Sequence, residues 1–345
     1  MRIGIPREIK DGEHRVALSP AAVRTLADVV VEPGAGAGVG YSDDEYRAAG
    51  ATLGDAWDCD LVVKVKELQP SEYGKPRHGQ IVCGFQQFGA EPKLLAAALA
   101  SGATYVVYST VGEGNGTLPI LAPMSAIAGR LAVQVGAWCL QKQNGGSGVL
   151  LSGFESVPPG KVVVLGAGSA GANALALAHG IGAQVTVFAR SEQRFAELRR
   201  AYPRAALRTG TPEIADADLV IGAVRTPGGL SPKIITRKML AAMRPGSALV
   251  DVGIDQGGIA ETSRPRKLSD PIYIEERIVH YCVPNMPAAC PRTASQALEK
   301  AVLPYIELLL RGEMTAELAT GIQVKDGKVT HERLARTTGQ AYSPL

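Results

Sequence analysis

Six consecutive residues have the spacing of a phosphate-binding turn. They form the pattern G-x-G-x-x-G and read Gly166, Ala167, Gly168, Ser169, Ala170 and Gly171. The run directly follows the apolar segment 162–165 and precedes a helical pattern, which is the order that a dinucleotide-binding turn requires. Its glycines permit a tight turn, close approach of a pyrophosphate and close packing of the helix, whose N-terminal amides face the phosphates. The alternative is that the glycines only close a joint between strand and helix.

The next predicted strand, 185–188, ends on Ala189, Arg190 and Ser191. An acid at this point, about 20 residues after the glycines, would bind the ribose 2′-hydroxyl of NAD. A small residue instead leaves room for a 2′-phosphate, with which Arg190 can form charge-assisted hydrogen bonds and to which Ser191 can donate another. The sequence therefore predicts NADP(H) as the cofactor, preferred over NAD(H). Ala223 and Val224, at the end of a later predicted strand, are two further expected cofactor contacts.

Hydride transfer also needs a cation for the carboxylate of a substrate and a group that moves a proton. Arg15 follows the first predicted strand, and Lys64 and Lys66 lie near the end of the predicted strand 61–66. Because side chains alternate along a strand, we expect both lysines on one face. They could also be ordinary polar residues at a strand end. The second half of the chain offers no Ser-His-Asp order, paired carboxylates or histidine cluster for hydrolysis or metal catalysis.

The composition fits a two-domain α/β protein. The chain has 345 residues, of which 46% are hydrophobic and 40 are glycine, and its net charge is +3. This near balance of charge, without a long basic block, argues against a nucleic-acid partner. The absence of a signal peptide and of a long apolar stretch predicts a cytoplasmic protein with no membrane partner. Five cysteines without C-x-x-C spacing predict neither a disulfide framework nor a zinc site.

Short apolar strands alternate with helical segments in both halves of the chain, which predicts parallel sheets. The fold class expected is α/β, with two Rossmann-like domains and the nucleotide domain inserted into a discontinuous substrate domain. Residues 1–135 and 290–345 are assigned to the substrate (catalytic) domain, and residues 136–289 to the dinucleotide-binding domain. The amphipathic segment 293–311 lies beyond the Rossmann pattern and is expected to rejoin the first block.

Six motifs together resemble those of the alanine dehydrogenases, in order and over nearly the whole chain. They are Arg15-Val16-Ala17-Leu18-Ser19-Pro20, Lys64-Val65-Lys66-Glu67, Leu121-Ala122-Pro123-Met124-Ser125, the run 166–171, the run 251–258 and Val283-Pro284-Asn285-Met286-Pro287. Transhydrogenase α subunits and N5-(carboxyethyl)ornithine synthases are more distantly similar and share the two-domain plan.

The resemblance implies roles for particular residues. Arg15 and Lys66 would bind the substrate, and Lys66 and Asp255 would be catalytic residues at the active centre. Asn285 and Met286 would lie beside the nicotinamide, with Asn285 also touching the substrate. Met124 and Ser125 would line the same site, Met124 on the substrate and Ser125 on the cofactor. The family forms hexamers built from dimers, so we expect a homo-oligomer, either a dimer or a hexamer.

The chain also departs from the family pattern. Gln87 occupies the place of the family's catalytic histidine, and an amide can orient a reacting group but cannot accept and return a proton near neutral pH. Ser109 and Ala126 replace two glutamates. These changes argue against ordinary NAD-linked turnover of alanine and pyruvate, and they leave Asp255 as the nearby ionisable residue for proton transfer.

Two classes of function remain. The first is an enzyme: a NADP(H)-dependent amino acid dehydrogenase or imine reductase that transfers hydride to an imino or 2-oxo acid and gives an amino acid or a secondary amine. A variant of it is opine-like condensation of an amino acid with a 2-oxo acid. The second is a NADPH-binding sensor without turnover. Arg15, Lys66 and Asp255 favour the enzyme, because a sensor has no need of a carboxylate-binding group.

Overall fold

The computed structural model describes residues 1–226 and 229–345. The chain divides into two compact units. Unit 1 comprises residues 1–124 and 290–345, and unit 2 comprises residues 125–289. The first division falls after Met124, inside the helix Leu121–Cys139, which also contains the boundary expected from the sequence at residues 135 and 136.

The helices and strands follow one another in three stretches of chain. Those of the first stretch are β1 (Ile3–Ile5), α1 (Pro20–Val23), β2 (Val29–Val31), α2 (Asp43–Ala48), β3 (Thr52–Leu53), β4 (Leu61–Lys66), β5 (Ile81–Phe85), α3 (Pro92–Ser101), β6 (Thr104–Val107) and α4 (Leu121–Cys139). Those of the second are β7 (Lys161–Leu165), α5 (Ser169–Gly180), β8 (Gln184–Ala189), α6 (Phe195–Ala201), β9 (Ala206–Thr209), β10 (Leu219–Gly222), α7 (Arg237–Ala241), β11 (Ala248–Asp251), β12 (Ile272–Glu275) and β13 (Ile278–Tyr281). Those of the third are α8 (Pro291–Leu310), α9 (Ala316–Ala319), β14 (Ile322–Lys325), β15 (Lys328–Val329) and α10 (Glu332–Thr338).

Unit 1 contains an eight-stranded sheet in the order β15-β14-β6-β5-β4-β1-β2-β3. Six of these strands pair in parallel, as the alternation of strands and helices predicted, in the order β6-β5-β4-β1-β2-β3. The other edge differs from the prediction, because β14 pairs antiparallel with both β6 and β15. Asp326 and Gly327 make the two-residue turn between β14 and β15, with φ of 50° and 73°. Asp-Gly is a common sequence for such a hairpin turn.

Unit 2 contains a seven-stranded sheet in the order β12-β13-β11-β10-β7-β8-β9. All pairs are parallel except β12 with β13, which again form an antiparallel hairpin at one edge. Its turn residues, Glu276 and Arg277, have φ of 51° and 64° without being glycine. In both units the carboxyl ends of several parallel strands lie along one edge of the sheet, where α/β proteins hold their ligands.

Helices α1 and α8 contrast in length. Helix α1 has only four residues and begins after Ser19, whose side chain accepts a hydrogen bond from the Ala22 amide. The helix α8 continues for 20 residues through Pro304, although a proline removes one hydrogen bond inside a helix. Burial of the apolar face of α8, at residues such as Leu298 and Val302, compensates for that loss.

Over the described ranges, no helix is long and apolar enough to cross a membrane. A group of three or more His, Cys, Asp and Glu side chains suited to a metal ion is likewise absent from those ranges. All five cysteines are free thiols, and four of them are buried.

The glycine at the centre of β1 provides a test of the unit 1 sheet. A Cβ added at Gly4 would lie 1.9 Å from the carbonyl oxygen of Ala56, far inside van der Waals contact with rigid backbone. We expect Gly4→Ala to lower the free energy of unfolding by about 2 kcal/mol or more, measured by urea denaturation. Gly74→Ala is the matched control, because a Cβ there would have no atom within 4 Å. Equal unfolding midpoints for the two variants would contradict this packing.

Candidate active site

The turn after β7 is built around its glycines. Gly166 has a φ of 111°, and a Cβ there would lie 2.4 Å from the carbonyl oxygen of Ala223. A Cβ at Gly171 would lie 1.9 Å from the carbonyl oxygen of Gly166. Gly168 caps α5, and a Cβ there would meet nothing within 4 Å. The turn thus needs glycine at its two ends for packing and has open space at its middle, which fits a pyrophosphate against the amides of α5.

Ala223 and Val224 lie beside this turn at the end of β10. The amide of Ala223 donates to the carbonyl oxygen of Leu165, 2.8 Å away, so the backbone follows β7 one residue beyond the strand. The carbonyl oxygen of Val224 accepts a hydrogen bond from the hydroxyl of Ser231. Both residues are half-buried and border the same strand-end edge as the glycine turn.

At the end of β8, one cationic side chain has no partner among the described residues. Ala189 is half-buried, and Arg190 and Ser191 are exposed. Within residues 1–226 and 229–345, the Arg190 guanidinium makes neither an ion pair nor a hydrogen bond, and the Ser191 hydroxyl makes no hydrogen bond. An arginine without a protein partner retains all five donors for an anion.

Arg194 is a residue that sequence reasoning missed. Its Nη1 donates a hydrogen bond of 3.0 Å to the carbonyl oxygen of Ala167, inside the glycine turn, and its Nη2 lies 3.4 Å from Glu197. The side chain therefore connects the segment that follows β8 to the glycine turn after β7. Its position four residues after Arg190 was the only signal in the sequence.

Asp251, at the end of β11, shapes the loop that carries Asp255. Its buried carboxylate accepts hydrogen bonds from the Gly253 amide at 3.0 Å, the Ile259 amide at 2.7 Å and the Ser263 hydroxyl at 2.5 Å. Burial raises the pKa of Asp251, and these three hydrogen bonds oppose the rise. The buried position makes Asp251 a support for the loop.

The structure brings Asp255 and Asn285 together. Asp255 is exposed on the 3₁₀ helix Val252–Gln256, and its two carboxylate oxygens lie 3.1 and 3.3 Å from the amide nitrogen of Asn285. Asn285 has a φ of 56°, a conformation that asparagine tolerates better than most residues. The next residue, Met286, is 2% exposed and packs in the hydrophobic core of unit 2, so its side chain has no surface to offer a cofactor.

In unit 1 the guanidinium of Arg15 is buried against a carboxylate. Nε lies 2.6 Å from Oε1 of Glu13, and Nη2 lies 2.5 Å from Oε2. The Arg15 side chain is 2% exposed and the Glu13 side chain is fully buried. Nη1 points instead to the sulfur of Met124, 3.4 Å away. The fork of hydrogen bonds fixes the plane of the guanidinium and directs Nη1 away from Glu13.

The end of β4 carries two separate charged groups. Lys66 lies 3.2 Å from Oε2 of Glu67, whose Oε1 binds Lys10. Lys64 lies 2.8 Å from Glu72 and 3.6 Å from Glu8. Burial lowers the pKa of Lys64, but the two neighbouring carboxylates outweigh it and the net change is a rise.

The expectation that Lys64 and Lys66 share a face is wrong. The pairing of β4 with β5 shifts in register before Lys66, which lies opposite Phe85. Lys64 lies beside Gly84, within 3.6 Å of the place where a Cβ of Gly84 would be. In a regular strand, side chains alternate between the two faces, so residues two apart share a face. The bulge before Lys66 interrupts this alternation, and Lys64 and Lys66 therefore lie on different faces.

The end of β5 presents two glutamines in different environments. Gln87 is exposed, whereas Gln86 is 6% exposed. Oε1 of Gln86 accepts a hydrogen bond from the Leu68 amide at 3.2 Å, and its Nε2 finds no partner in the described part of the chain. Ser125, at the start of unit 2, is half-buried in α4.

Comparisons with known protein families cover most of the chain. Residues 4–128 match the family described as "Alanine dehydrogenase/PNT, N-terminal domain", and residues 132–332 match "Alanine dehydrogenase/PNT, C-terminal domain". A protein named alanine dehydrogenase from Halomonas elongata is 44% identical, with 99% of this chain and 98% of that protein covered. Another of the same name from Mycobacterium tuberculosis is 42% identical at the same coverage.

Solved structures agree with the sequence comparison. A structure titled L-alanine dehydrogenase superposes with a TM-score of 0.93 at 41% identity, with 98% of this chain and 99% of that chain covered. A transhydrogenase from Sinorhizobium meliloti shares the fold, with a TM-score of 0.83 at 24% identity and coverage of 95% and 100%. The resemblance and the α/β fold inferred from the sequence are thereby confirmed.

The buried pair of Arg15 and Glu13 provides a test of the site in unit 1. Glu13→Gln removes the counter-charge and leaves the buried guanidinium without it, so we expect a loss of about 3 kcal/mol in the free energy of unfolding. Asp44→Asn is the control, because its ion pair with Arg47 is exposed and should contribute less than about 1 kcal/mol. Urea denaturation of both variants measures the difference. A loss for Glu13→Gln as small as that of the control would contradict the geometry described.

Proposed function

The chain belongs to the alanine dehydrogenase/PNT family, and we propose that it is a NADP(H)-dependent oxidoreductase that reduces an imino or 2-oxo acid to an amino acid or a secondary amine. The observation that carries the choice of cofactor is the exposed Arg190, whose side chain has no partner among the described residues, after the small residue Ala189 at the end of β8. A cation in this place suits a 2′-phosphate, and a carboxylate that would repel one is missing from the end of the strand.

The nucleotide would be held by the turn after β7 and the strand ends beside it. The residues proposed to contact it are Ser125, Gly166, Ala167, Gly168, Ser169, Ala170, Gly171, Ala189, Arg190, Ser191, Ala223, Val224, Asn285 and Met286. The open space at Gly168 supports close approach of the phosphates, and the burial of the Met286 side chain limits that residue to contacts through its backbone. The bound cofactor supplies the hydride.

Arg15 and Lys66 are proposed to hold the substrate, with Met124 and Asn285 as further contacts. Both cations are nearly buried, so their attraction for a carboxylate is weakened little by water. Glu13 accepts hydrogen bonds from Nε and Nη2 of Arg15, and Nη1 is directed away from Glu13. This orientation suits a hydrogen bond from Nη1 to one oxygen of a substrate carboxylate.

Gln87 supports reduction in preference to hydrolytic deamination. Deamination requires a base that activates water, and an amide cannot act as one. Reduction of a preformed imine requires only a hydride and a proton. The exposed position of Gln87 leaves its amide available to orient the reacting carbonyl or imine. Asp255, also exposed, is proposed to be the group that exchanges a proton with the substrate. A homo-oligomer, dimer or hexamer, remains a prediction.

Arg190→Ala tests the preference for NADP(H). Loss of charge-assisted hydrogen bonds to a 2′-phosphate should weaken NADPH binding about tenfold to a hundredfold and leave NADH binding unchanged. Fluorescence titration of each nucleotide measures this without any substrate. Arg200→Ala is the control, since Arg200 is also exposed but lies at the end of α6. Equal losses for NADPH and NADH, or tighter binding of NADH by the unmodified protein, would overturn the cofactor proposal.

Oxidation of NADPH with a panel of 2-oxo acids tests the reaction. Each acid is supplied with ammonia and then with ornithine, lysine or alanine as the amine. We expect turnover that Lys66→Ala abolishes while nucleotide affinity stays within about twofold, because Lys66 binds only the substrate. Turnover that requires a second amino acid would identify opine-like condensation. Nucleotide binding without turnover on any acid would favour a sensor and contradict the enzyme.

A further inference from the structure

The connection between β9 and β10 lacks the helix that a parallel crossover usually carries. In the sheet of unit 2, β7 and β8 lie between these two strands, and all four pair in parallel. Such a crossover normally covers the sheet with a helix. Residues 210–218, all of them described, cross the sheet without forming one. Part of this face of the sheet is therefore left uncovered.

A cavity of about 260 Å³ lies beside this connection. Its floor includes Val163 of β7 and Thr186 and Phe188 of β8. Val163 and Thr186 are paired in register, and residues two apart on a strand share a face, so the three side chains lie on one side of the sheet. Val163 and Phe188 are 6% and 5% exposed. The floor is thus an apolar surface that carries one hydroxyl.

The hydroxyl of Thr186 has no protein partner. Thr186 is half-buried within β8, and its hydroxyl makes no hydrogen bond to any residue in the ranges 1–226 and 229–345. Polar groups away from solvent are normally hydrogen-bonded, and a hydroxyl is both a donor and an acceptor. The cavity therefore offers a hydrogen bond to a polar group of a ligand.

Two ion pairs border the cavity. Arg208 of β9 lies 2.7 Å from Glu213. Lys161, at the start of β7, lies 3.7 Å from Asp216, which Arg244 also approaches to 3.7 Å. The side chains of both pairs are exposed by 42% or more, and exposed pairs contribute no more than about 1 kcal/mol each. The ammonium and carboxylate of a ligand can therefore replace these partners at small cost.

We propose that this cavity is a second ligand site of unit 2 and binds an amino acid with a branched apolar side chain. The carboxylate of the ligand pairs with Arg208, its ammonium pairs with a carboxylate of the rim, and its side chain packs on Val163 and Phe188. None of the residues that line the cavity is among the proposed nucleotide or substrate contacts. The inference therefore does not depend on the proposed reaction.

Size and charge favour this class of ligand. Pockets for drug-sized ligands have volumes of about 300 to 1,000 Å³, so this slightly smaller cavity suits a small metabolite. One turn of a helix about 10 Å wide takes about 400 Å³, so a helix from a second copy of the chain does not fit inside it. A carboxylic acid without an amino group would meet Glu213 and Asp216 uncompensated, and a simple amine would meet Arg208 and Lys161. A zwitterion matches both signs of charge.

Isothermal titration calorimetry with L-leucine tests the class of ligand. The titrations use cofactor-free protein with and without Lys66→Ala, which separates this cavity from the proposed substrate site. We expect leucine to bind equally to both proteins. Its analogues 4-methylpentanoate and isoamylamine lack the ammonium and the carboxylate, respectively. Each should bind about tenfold to a hundredfold more weakly, because it loses charge-assisted hydrogen bonds.

Substitutions locate the bound leucine. Arg208→Met removes the proposed partner of the carboxylate and should weaken binding about tenfold or more. Because Arg208 is exposed, this variant should keep its fold, which thermal unfolding verifies. Thr186→Leu fills the cavity and should abolish binding. Arg200→Met is the matched control, since Arg200 is exposed on α6 and does not line the cavity, and it should leave the affinity unchanged.

Several results would overturn the proposal. These are no binding of leucine, loss of binding in Lys66→Ala, or equal affinity for leucine and its two analogues. Equal affinity in Arg208→Met, Thr186→Leu and Arg200→Met would place the ligand elsewhere. A change of sedimentation coefficient in Thr186→Leu, when the unmodified protein binds no leucine, would identify a second copy of the chain as the occupant. Failure of NADPH oxidation contradicts the proposed reaction only, because these titrations involve neither nucleotide nor turnover.

Discussion

The ion pair of Arg15 and Glu13 is buried, and a charge taken out of water is tolerated only where another charge and hydrogen bonds replace the solvent. The same requirement governs Lys64 between Glu8 and Glu72, and Lys66 beside Glu67. Each cation that could meet a substrate in unit 1 is therefore already oriented by a carboxylate. The bulge in β4 places its two lysines beside different carboxylates.

In unit 2 the corresponding constraint is steric, because backbone atoms must be able to approach a ligand closely. Gly166 and Gly171 remove side chains that would collide with neighbouring carbonyl groups, and Arg194 ties the end of β8 to the turn through Ala167. Asp251 supports the loop of Asp255 with three hydrogen bonds. In unit 2 backbone geometry orients the polar atoms, whereas in unit 1 ion pairs orient them.

The sequence predicted the features that depend on local pattern. The turn 166–171, the end of β8 and the parallel strands all follow from the order of apolar residues and glycines along the chain. The hairpin at Glu276 and Arg277 could not be predicted, because its turn residues are not those that usually adopt positive φ. The partners of Lys64 and Lys66 could not be predicted either, because a bulge depends on pairing with β5 and leaves no mark in the strand itself. Glu13 lies two residues before Arg15 and Glu67 directly follows Lys66. Neither closeness in sequence nor charge indicates which carboxylates are buried.

Arg190 and Ser191, which follow the last residue of β8, differ from the rest of the candidate site in the absence of structural contacts from their side chains within the described residues. Arg190 and Ser191 are exposed, and neither makes a side-chain hydrogen bond within the described residues. Exposed substitutions away from packed contacts usually change stability by no more than about 0.5 kcal/mol. If these two residues select the nucleotide, as proposed, substitutions there can change the cofactor without a prior gain of stability elsewhere. Arg15, in contrast, is paired with Glu13, so a change at one of these residues requires a change at the other. On the proposed assignment, the choice of nucleotide is therefore the adaptable trait and recognition of a substrate carboxylate is the inherited one.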